Sequence, residues 1–547
     1  MIKKYSMIII LLLAALLRLW HLGSYPALNA DEAAIGYNVY SLIHTGQDEH
    51  GRPWPIHFQS FNDYKPGGYF YIVLPFVYFF GLNEFSVRFP GAMLGVLTVL
   101  AIYFLIKELG KSLHTNYELL ATVASFLLAI SPCHIHFSRG GWEVNAATCF
   151  IVLGLYFFIK ALKDKNYFAL SILAFVASLY TYHAARIIVP LLGLSLLVIY
   201  RKTLFLKENV KLFAGSVVLA LVLLVPLVHD FMGQAGQARA AGVSIFADRG
   251  YIDRINETRG RYENANSLYV RLLHNQPKEI VVEFAKNYLD HFWGEFLFVS
   301  GDDIQRNKVP EFGQLYLWQF PFLIIAAVTL TRRKKLAGWG IILIWLVIAP
   351  IPAALTFQSP HALRAQSMII PLTILSAYGL GILLEYLNKN FNRKILLAAC
   401  YILLSTIIVW DFSRYLHEYY VHMAKAYPYS SQYGVKELVG YISNGDFDKV
   451  VITTRYDQPY ILFLFYSKFD PEKFQQKHVL SGRDKYGFST VPEFDKYIFK
   501  SVDFETDKLV YPGALIVGTD EDIPNEANII KNVYGSNGFL YFQAVAN

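Results

Sequence analysis

Apolar residues run through most of this chain in long unbroken stretches, with neither the period of a surface helix nor the alternation of a half-buried strand. A helix rises 1.5 Å per residue, so about 20 apolar residues match about 30 Å of hydrocarbon. The stretches at 6–22, 86–106, 118–133, 144–162, 166–181, 186–200, 211–229, 314–331, 338–356, 365–387 and 394–411 are therefore predicted to be membrane-spanning helices, about eleven in all. Between the first two lies NDYKPGGYFYIVLPFVYFFG, whose apolar end is predicted to rest at the interface or re-enter the bilayer. Beyond residue 411 the pattern changes. Short β-rich runs (KVVITT, GALIVG), a helical YGVKELVGYI and a closing GFLYFQAV predict a small α/β domain. The domains are thus 1–411 and 412–547.

Charge fixes the expected orientation. Lys3 and Lys4, KELGK (Lys107, Lys111), KDK (Lys163, Lys165), RKTLFLK (Arg201, Lys202, Lys207), TRRKK (Arg332 to Lys335) and NKNFNRK (Lys389, Arg393, Lys394) all fall on one side of the spans. Lys and Arg are retained on the cytoplasmic side. This predicts a multi-pass protein of the cytoplasmic membrane with a cytoplasmic N-terminus, and an odd span count puts the tail outside. The opening MIKK resembles a signal peptide, but no small-x-small cleavage site follows, and Arg18 and Trp20 suit the rim of a retained first helix.

Composition agrees: 54% hydrophobic and 17% charged residues are too apolar for an ordinary soluble protein, and the net charge of +7 sits largely in the inner loops. No basic stripe and no GxxxxGK[ST] or GxGxxG before a helix points to nucleic acid or a nucleotide. Cys133, Cys149 and Cys400 lie in or beside apolar runs without CxxC spacing, as small hydrophobes rather than disulfide or zinc partners.

The unusual polar clusters all fall on the predicted outer side. LNADEAAIGY carries Asp31 and Glu32, YKPGG carries Tyr64 and Lys65, and SPCHIHFSRGGWE carries Arg139 and Glu143. YTYHAAR carries His183 and Arg186, and QSPHALRA carries His361 and Arg364. Each has a plain structural reading. Asp31 and Glu32 fit a helix N-terminus with Asn29 as cap. The cations fit interfacial anchors, and the histidines fit hydrogen-bonding or packing roles, since no HExxH-like spacing unites them. Together they fit these readings less well. Outer cations are unexpected, yet Lys65, Arg139, Arg186 and Arg364 recur at successive outer junctions, and burying them at a membrane edge is costly unless an anion offsets it. A lipid phosphate would do so.

The order R…P…DE…Y, YKPGGYFY, GLNEFSVRFPGAMLG and SRGGWE resembles the GT-C glycosyltransferases, in particular the phospholipid-carrier-dependent group with protein O-mannosyltransferases and lipid A aminoarabinose transferases. The resemblance covers about residues 15–190, is looser to 365 and is absent in the tail. It implies that Asp31 is the catalytic base or lies beside it, and that Lys65 contacts the carrier phosphate. It implies that Arg139 and Glu143 are a further phosphate-side cation and a second acidic residue. Relatives often carry K-P-P where this chain has Lys65-Pro66-Gly67-Gly68, which keeps the charge but loosens any inference about the donor sugar.

The chemistry is coherent without the family. A sugar leaving a polyprenyl phosphate develops charge on the phosphate, which fixed cations stabilise, while an acceptor hydroxyl on the opposite face gives its proton to a carboxylate. One displacement inverts the anomeric centre. Lys65, Tyr64, Arg139, His183, Arg186, His361 and Arg364 are the candidates for binding carrier phosphate or sugar, and Asp31, Glu32 and Glu143 for catalysis. Glu32 could orient Asp31 or help hold a divalent cation, but two carboxylates alone do not make a metal site. Expected partners are the polyprenyl-phosphate-linked sugar, membrane lipids and an acceptor that is a protein, a glycolipid or a cell-envelope polymer. The competing reading is a transporter or flippase for a lipid-linked saccharide. Transporters usually show internal repeats with interrupted helices, and none is visible here.

Overall fold

The computed structural model describes residues 2–547 except 62, 114, 231, 234–244, 246–249, 333–335, 391–392, 483–488 and 536–537. The side chains of Lys3, Lys4 and Lys111, the cations 333–335 and part of the fourth outer loop lie outside the described residues.

A helix stands at each of the predicted spans. In chain order, α1 is Ile2–Leu19, α2 Ala30–Thr45, α3 Gly68–Phe80, α4 Glu84–Leu109 and α5 Tyr117–Ile130. They are followed by α6 Pro132–Arg139, α7 Glu143–Ala161, α8 Tyr167–Thr181, α9 Ala185–Leu204 and α10 Lys207–Asp230. Helices Phe320–Arg332, Leu336–Ile348, Ile369–Asn390 and Lys394–His417 complete the set. Among the described residues six helices are long and apolar enough to cross a membrane, or up to seven if Tyr117–Ile130 and Pro132–Arg139 count as one broken span. Others are shorter than their apolar runs. The run at 314–331 begins with a 3-10 turn, so its α-helix has 13 residues, and the run at 338–356 is split between Leu336–Ile348 and Ile351–Ala354 around Pro350 and Pro352. Helix α3, the expected interfacial element, also has 13 residues.

Two compact units share the chain. One comprises 1–10, 98–134 and 147–407. There Phe320–Arg332 packs closely on Ile369–Asn390, where any side chain at Gly379 would collide with the backbone of Phe322. The other comprises 11–97, 135–146 and 408–547, and so joins the first outer loop to the tail.

Within this second unit the tail forms the expected α/β element. Its six-stranded sheet has the order β4-β5-β3-β6-β8-β7, with β3 (Val450–Thr453) parallel to β5 (Tyr497–Lys500) and to β6 (Leu515–Gly518). Strands β4 (Glu493–Phe494), β7 (Ile529–Tyr534) and β8 (Leu540–Ala546) pair antiparallel. Val451, Ala514, Ile516, Ile523 and Val545 form its core on one face.

Helix α2 is not a span but an internal helix of this unit. Ala33, Ala34, Ile35, Tyr37, Val39 and Leu42 bury it on several sides. It ends at Gly46, whose left-handed φ of 71° lets its N–H bond the Leu42 carbonyl. A Cβ at Gly36 would lie 2.5 Å from the Phe465 ring and 2.8 Å from Val87, so glycine sets how closely helix Pro459–Ser467 and α4 approach α2.

Candidate active site

The first turn of α2 carries the acidic pair, and the two carboxylates diverge because successive helical residues point about 100° apart. Glu32 turns inward. Its side chain closes a capping box with Asn29: the Glu32 N–H donates to Asn29 Oδ1 at 3.0 Å and the Asn29 N–H to Glu32 Oε2 at 3.1 Å. Arg88 of α4 then grips both oxygens, Nε to Oε1 at 2.6 Å and Nη2 to Oε2 at 2.8 Å, and the Gly141 N–H donates to Oε1 at 2.8 Å. Glu32, read from sequence as part of the reactive centre, thus has both oxygens committed. It holds the loop around it in place.

Asp31 turns the other way, to Lys65. Lys65 comes from a hairpin of β1 (His57–Ser60) and β2 (Asp63–Pro66) in which Phe58 faces Lys65 and Gln59 faces Tyr64. The alternation along β2 places Asp63 and Lys65 on its more open face and Tyr64 and Pro66 on its buried face. The Lys65 ammonium pairs with Asp31 Oδ1 and lies 5.5 Å from the centre of the Phe61 ring. The pair stays partly open, with 18% of the Asp31 and 13% of the Lys65 side chain exposed. Burial alone would favour the neutral amine, but the charges of Asp31, Glu143 and Asp63 outweigh it and hold the Lys65 pKa above its ordinary value. Glu143, at the start of α7, is buried within electrostatic reach of Lys65 and Asp31. Asp31, Lys65, Glu143 and Asp63 thus form one cluster, of which sequence reading missed Asp63.

The other candidates have partners of their own. The Tyr64 hydroxyl accepts from Arg52 at 3.1 Å, and the Arg52 guanidinium lies 5.0 Å from its ring centre. Arg139 is fully buried and spends its donors on the Leu17 carbonyl (2.9 Å), the Tyr25 carbonyl (3.0 Å) and the Tyr419 hydroxyl (3.2 Å), with its guanidinium over Tyr419 and Tyr420. It ties loops together rather than facing an anion. His183, Arg186, His361 and Arg364 belong to the other unit. Arg186 lies 3.2 Å from His183 Nδ1 and 3.2 Å from the Leu179 carbonyl. Arg364 donates to Thr356 at 2.7 Å. His361 sits beside buried Asp302, which accepts the Ala362 and Ile304 N–H groups.

Sequence reading also missed a second buried acidic pair, in GQDEHG. Glu49 accepts from Asn38 Nδ2 at 3.2 Å while its own N–H donates to Asn38 Oδ1 at 3.0 Å. Asn38 is two turns along α2 from Asp31, on the same face. Burial pushes the Glu49 carboxyl up to about 8, Asn38 and Lys65 opposing and Asp48 adding to the shift. Beside it His50 Nδ1 lies 2.9 Å from Nε2 of His478 in the tail. Among the described residues no three His, Cys, Asp or Glu side chains are grouped to hold a metal ion. Asp31 pairs with Lys65 and Glu32 with Arg88.

Residues 8–222, less than half of the chain, match the family model of dolichyl-phosphate-mannose-protein mannosyltransferase. Among solved structures, ArnT from Cupriavidus metallidurans bound to undecaprenyl phosphate matches with a TM-score of 0.51 at 12% identity, covering 98% of this chain and 97% of that one. The Archaeoglobus fulgidus oligosaccharyltransferase tethered with an acceptor peptide containing the NVT sequon matches with a TM-score of 0.52 at 14% identity, over 95% of this chain and 69% of that one. The same organism's AglB, in complex with an inhibitory peptide and a dolichol-phosphate, matches with a TM-score of 0.50 at 15% identity, over 85% of this chain and 64% of that one. A comparison with curated protein sequences finds no match. The chain has the fold of the GT-C membrane glycosyltransferases: a multi-span helical membrane protein with a small sheet region near its C-terminus.

Proposed function

We propose that this protein transfers a sugar from a polyprenyl-phosphate carrier to an acceptor hydroxyl at the outer face of the cytoplasmic membrane. The observation that carries the reading is the Asp31–Lys65 pair, partly open to solvent at the start of a buried helix and flanked by Glu143. Structural relatives with bound dolichol-phosphate and undecaprenyl phosphate, and the mannosyltransferase family match, support the same donor class.

In the proposed step the acceptor oxygen attacks the anomeric carbon and its proton passes to the Asp31 carboxylate. The bond from that carbon to the phosphate oxygen breaks, and the electron pair leaves on the phosphate. Lys65 stabilises that charge, which is larger in the transition state than in the donor's ground state and so contributes to rate rather than only to binding. Attack and departure occur on opposite faces of the sugar, which inverts the centre. The Asp31–Lys65 pair therefore has to open as donor and acceptor enter between its members. Glu143 keeps a negative charge near Lys65 and favours its charged form.

The membrane arrangement is read with eleven crossings through about residue 411, a cytoplasmic N-terminus and residues 412–547 outside. It is supported by the basic loops recurring on one side of the helices. The donor sugar is read as a hexose or pentose. The test is transfer by purified protein from polyprenyl-phosphate-linked sugars. Activity with at least one such donor, lost in Asp31→Asn, is the expected result. Transfer from a nucleotide sugar alone would overturn the reading.

A further inference from the structure

We infer that Gln432, in the C-terminal tail, is a positioning residue for Asp31, an inference that rests on the activity proposed above. The first turn of a helix leaves N–H groups without partners inside the helix. In α2 the capping box satisfies that of Glu32, and the Ala30 N–H, one residue before Asp31, donates to Gln432 Oε1 at 2.6 Å. Gln432 is itself fixed. It is buried, its Nε2 donates to the Asp457 carbonyl, and its backbone has a φ of 49°, in the left-handed region that few side-chain-bearing residues adopt. That conformation turns its side chain back to the start of α2.

The far end of α2 is held from the tail as well. Gln475 Nε2 lies 3.0 Å from Ser41 Oγ, 3.0 Å from Thr45 Oγ1 and 2.8 Å from the Asp48 carbonyl. Between the two ends Gly36 meets Phe465. The hairpin that brings Lys65 is also tied to the tail, by the Ser489 N–H donating to the Phe61 carbonyl at 3.0 Å. Both halves of the Asp31–Lys65 pair are thus referenced to one scaffold. Of these tail contacts, that of Gln432 is the one made to the backbone next to Asp31, through the Ala30 N–H. A base displaced by about 1 Å loses alignment with the proton it must accept, and rate falls while donor binding persists.

The experiment uses the full-length purified protein with a polyprenyl-phosphate-linked sugar donor. Gln432→Met keeps the side chain's shape and removes both hydrogen bonds; Gln475→Met does the same at the far end of α2. Gln432→Met is expected to lower kcat about tenfold or more with donor KM changed by less than about threefold, and to move the acid limb of the pH–rate profile. Gln475→Met should keep kcat within about threefold. Hydrogen–deuterium exchange should quicken in the peptide covering 27–36 for Gln432→Met and not for Gln475→Met. Unchanged kcat and pH profile in Gln432→Met, or equal losses in both variants that follow the melting temperature, would overturn the inference. If the wild-type protein shows no transfer, the proposed activity fails and exchange alone decides: faster exchange confined to the first turn of α2 sustains the positioning role, and unchanged exchange ends it.

Discussion

Arg88 and Glu32 meet through two hydrogen bonds, 2.6 and 2.8 Å long, with neither side chain exposed. The remaining donors of Arg88 go to the carbonyls of Leu22, Pro26 and Ala27, so one guanidinium gathers the connection from α1 to α2 around the helix start. Bidentate charge-assisted pairs are strong, but removing one partner leaves the other charge buried and uncompensated, at a cost of about 3–5 kcal/mol. Arg88→Met and Glu32→Leu should therefore each lower the folded yield and the melting temperature in detergent sharply. The double variant should recover part of the loss. Equal stability of both single variants and the wild type would remove this pair from the account of the fold.

Asp31 pairs with Lys65 and stays partly open to solvent. Asp31→Asn should leave melting temperature and donor-lipid binding close to wild type while abolishing transfer, and Glu143→Gln should reduce turnover less. Turnover in Asp31→Asn within about tenfold of wild type would assign the base elsewhere.

Lys65 separates an electrostatic role from an anchoring one. Removing a desolvated charge partner costs about 2–3 kcal/mol, which is tens to hundreds of fold in rate. Lys65→Ala and Lys65→Gln should both lose most activity with the polyprenyl-linked donor, and Lys65→Arg should recover part. If all three bind donor and turn over alike, the lysine is only an interfacial anchor.

Glu49 makes stability depend on pH. Its folded pKa is raised from 4.5 to about 8, so between these values the folded protein holds a proton that the unfolded chain has released. The stabilisation relative to an always-ionised carboxylate is fully present below 4.5 and is lost as pH rises through about 8. Thermal melts should fall from pH 6 to pH 9, and Glu49→Gln should flatten that slope, since an amide oxygen can still accept from Asn38. An identical slope in Glu49→Gln would place the titrating group elsewhere.

Orientation has a direct chemical test. Ser481 lies between β3 and β4 of the tail, and of the native cysteines Cys133 and Cys149 are buried while Cys400 is partly exposed. In a Cys400→Ser background, Ser481→Cys should react with a membrane-impermeant maleimide in intact cells. Reaction only after lysis would put the tail on the cytoplasmic side.

Much of the architecture was legible because hydrocarbon imposes a length and a composition on any helix that crosses it. The start of α2 was legible too, from Asn29 and the acid three residues later. What sequence could not resolve was which of two adjacent carboxylates faces the protein, because that depends on what packs around the helix. Arg88 did leave a signal: an arginine inside an apolar run needs a buried partner, and Glu32 is that partner. Arg139, at a junction between predicted spans, is also buried, and its guanidinium donates to the Leu17 and Tyr25 carbonyls and the Tyr419 hydroxyl. Gln432 left no such signal. A neutral amide in a polar tail has no periodicity or charge to mark it, and its role exists only through the fold of the residues around it.

The hydrogen bond from Ala30 to Gln432 joins positions 402 apart in sequence, and that from Gln475 to Ser41 joins positions 434 apart. A ribosome makes Asp31 early and the glutamines that hold its helix hundreds of residues later. Contacts of such separation form after the intervening chain has been synthesised and inserted. The nascent chain therefore makes its apolar helices before the tail residues that hold α2 exist, and on the activity proposed above the site around Asp31 is completed only when the tail folds against α2. On that reading, a chain cut between residues 417 and 432 would keep its apolar helices and lack the contact that holds the start of α2.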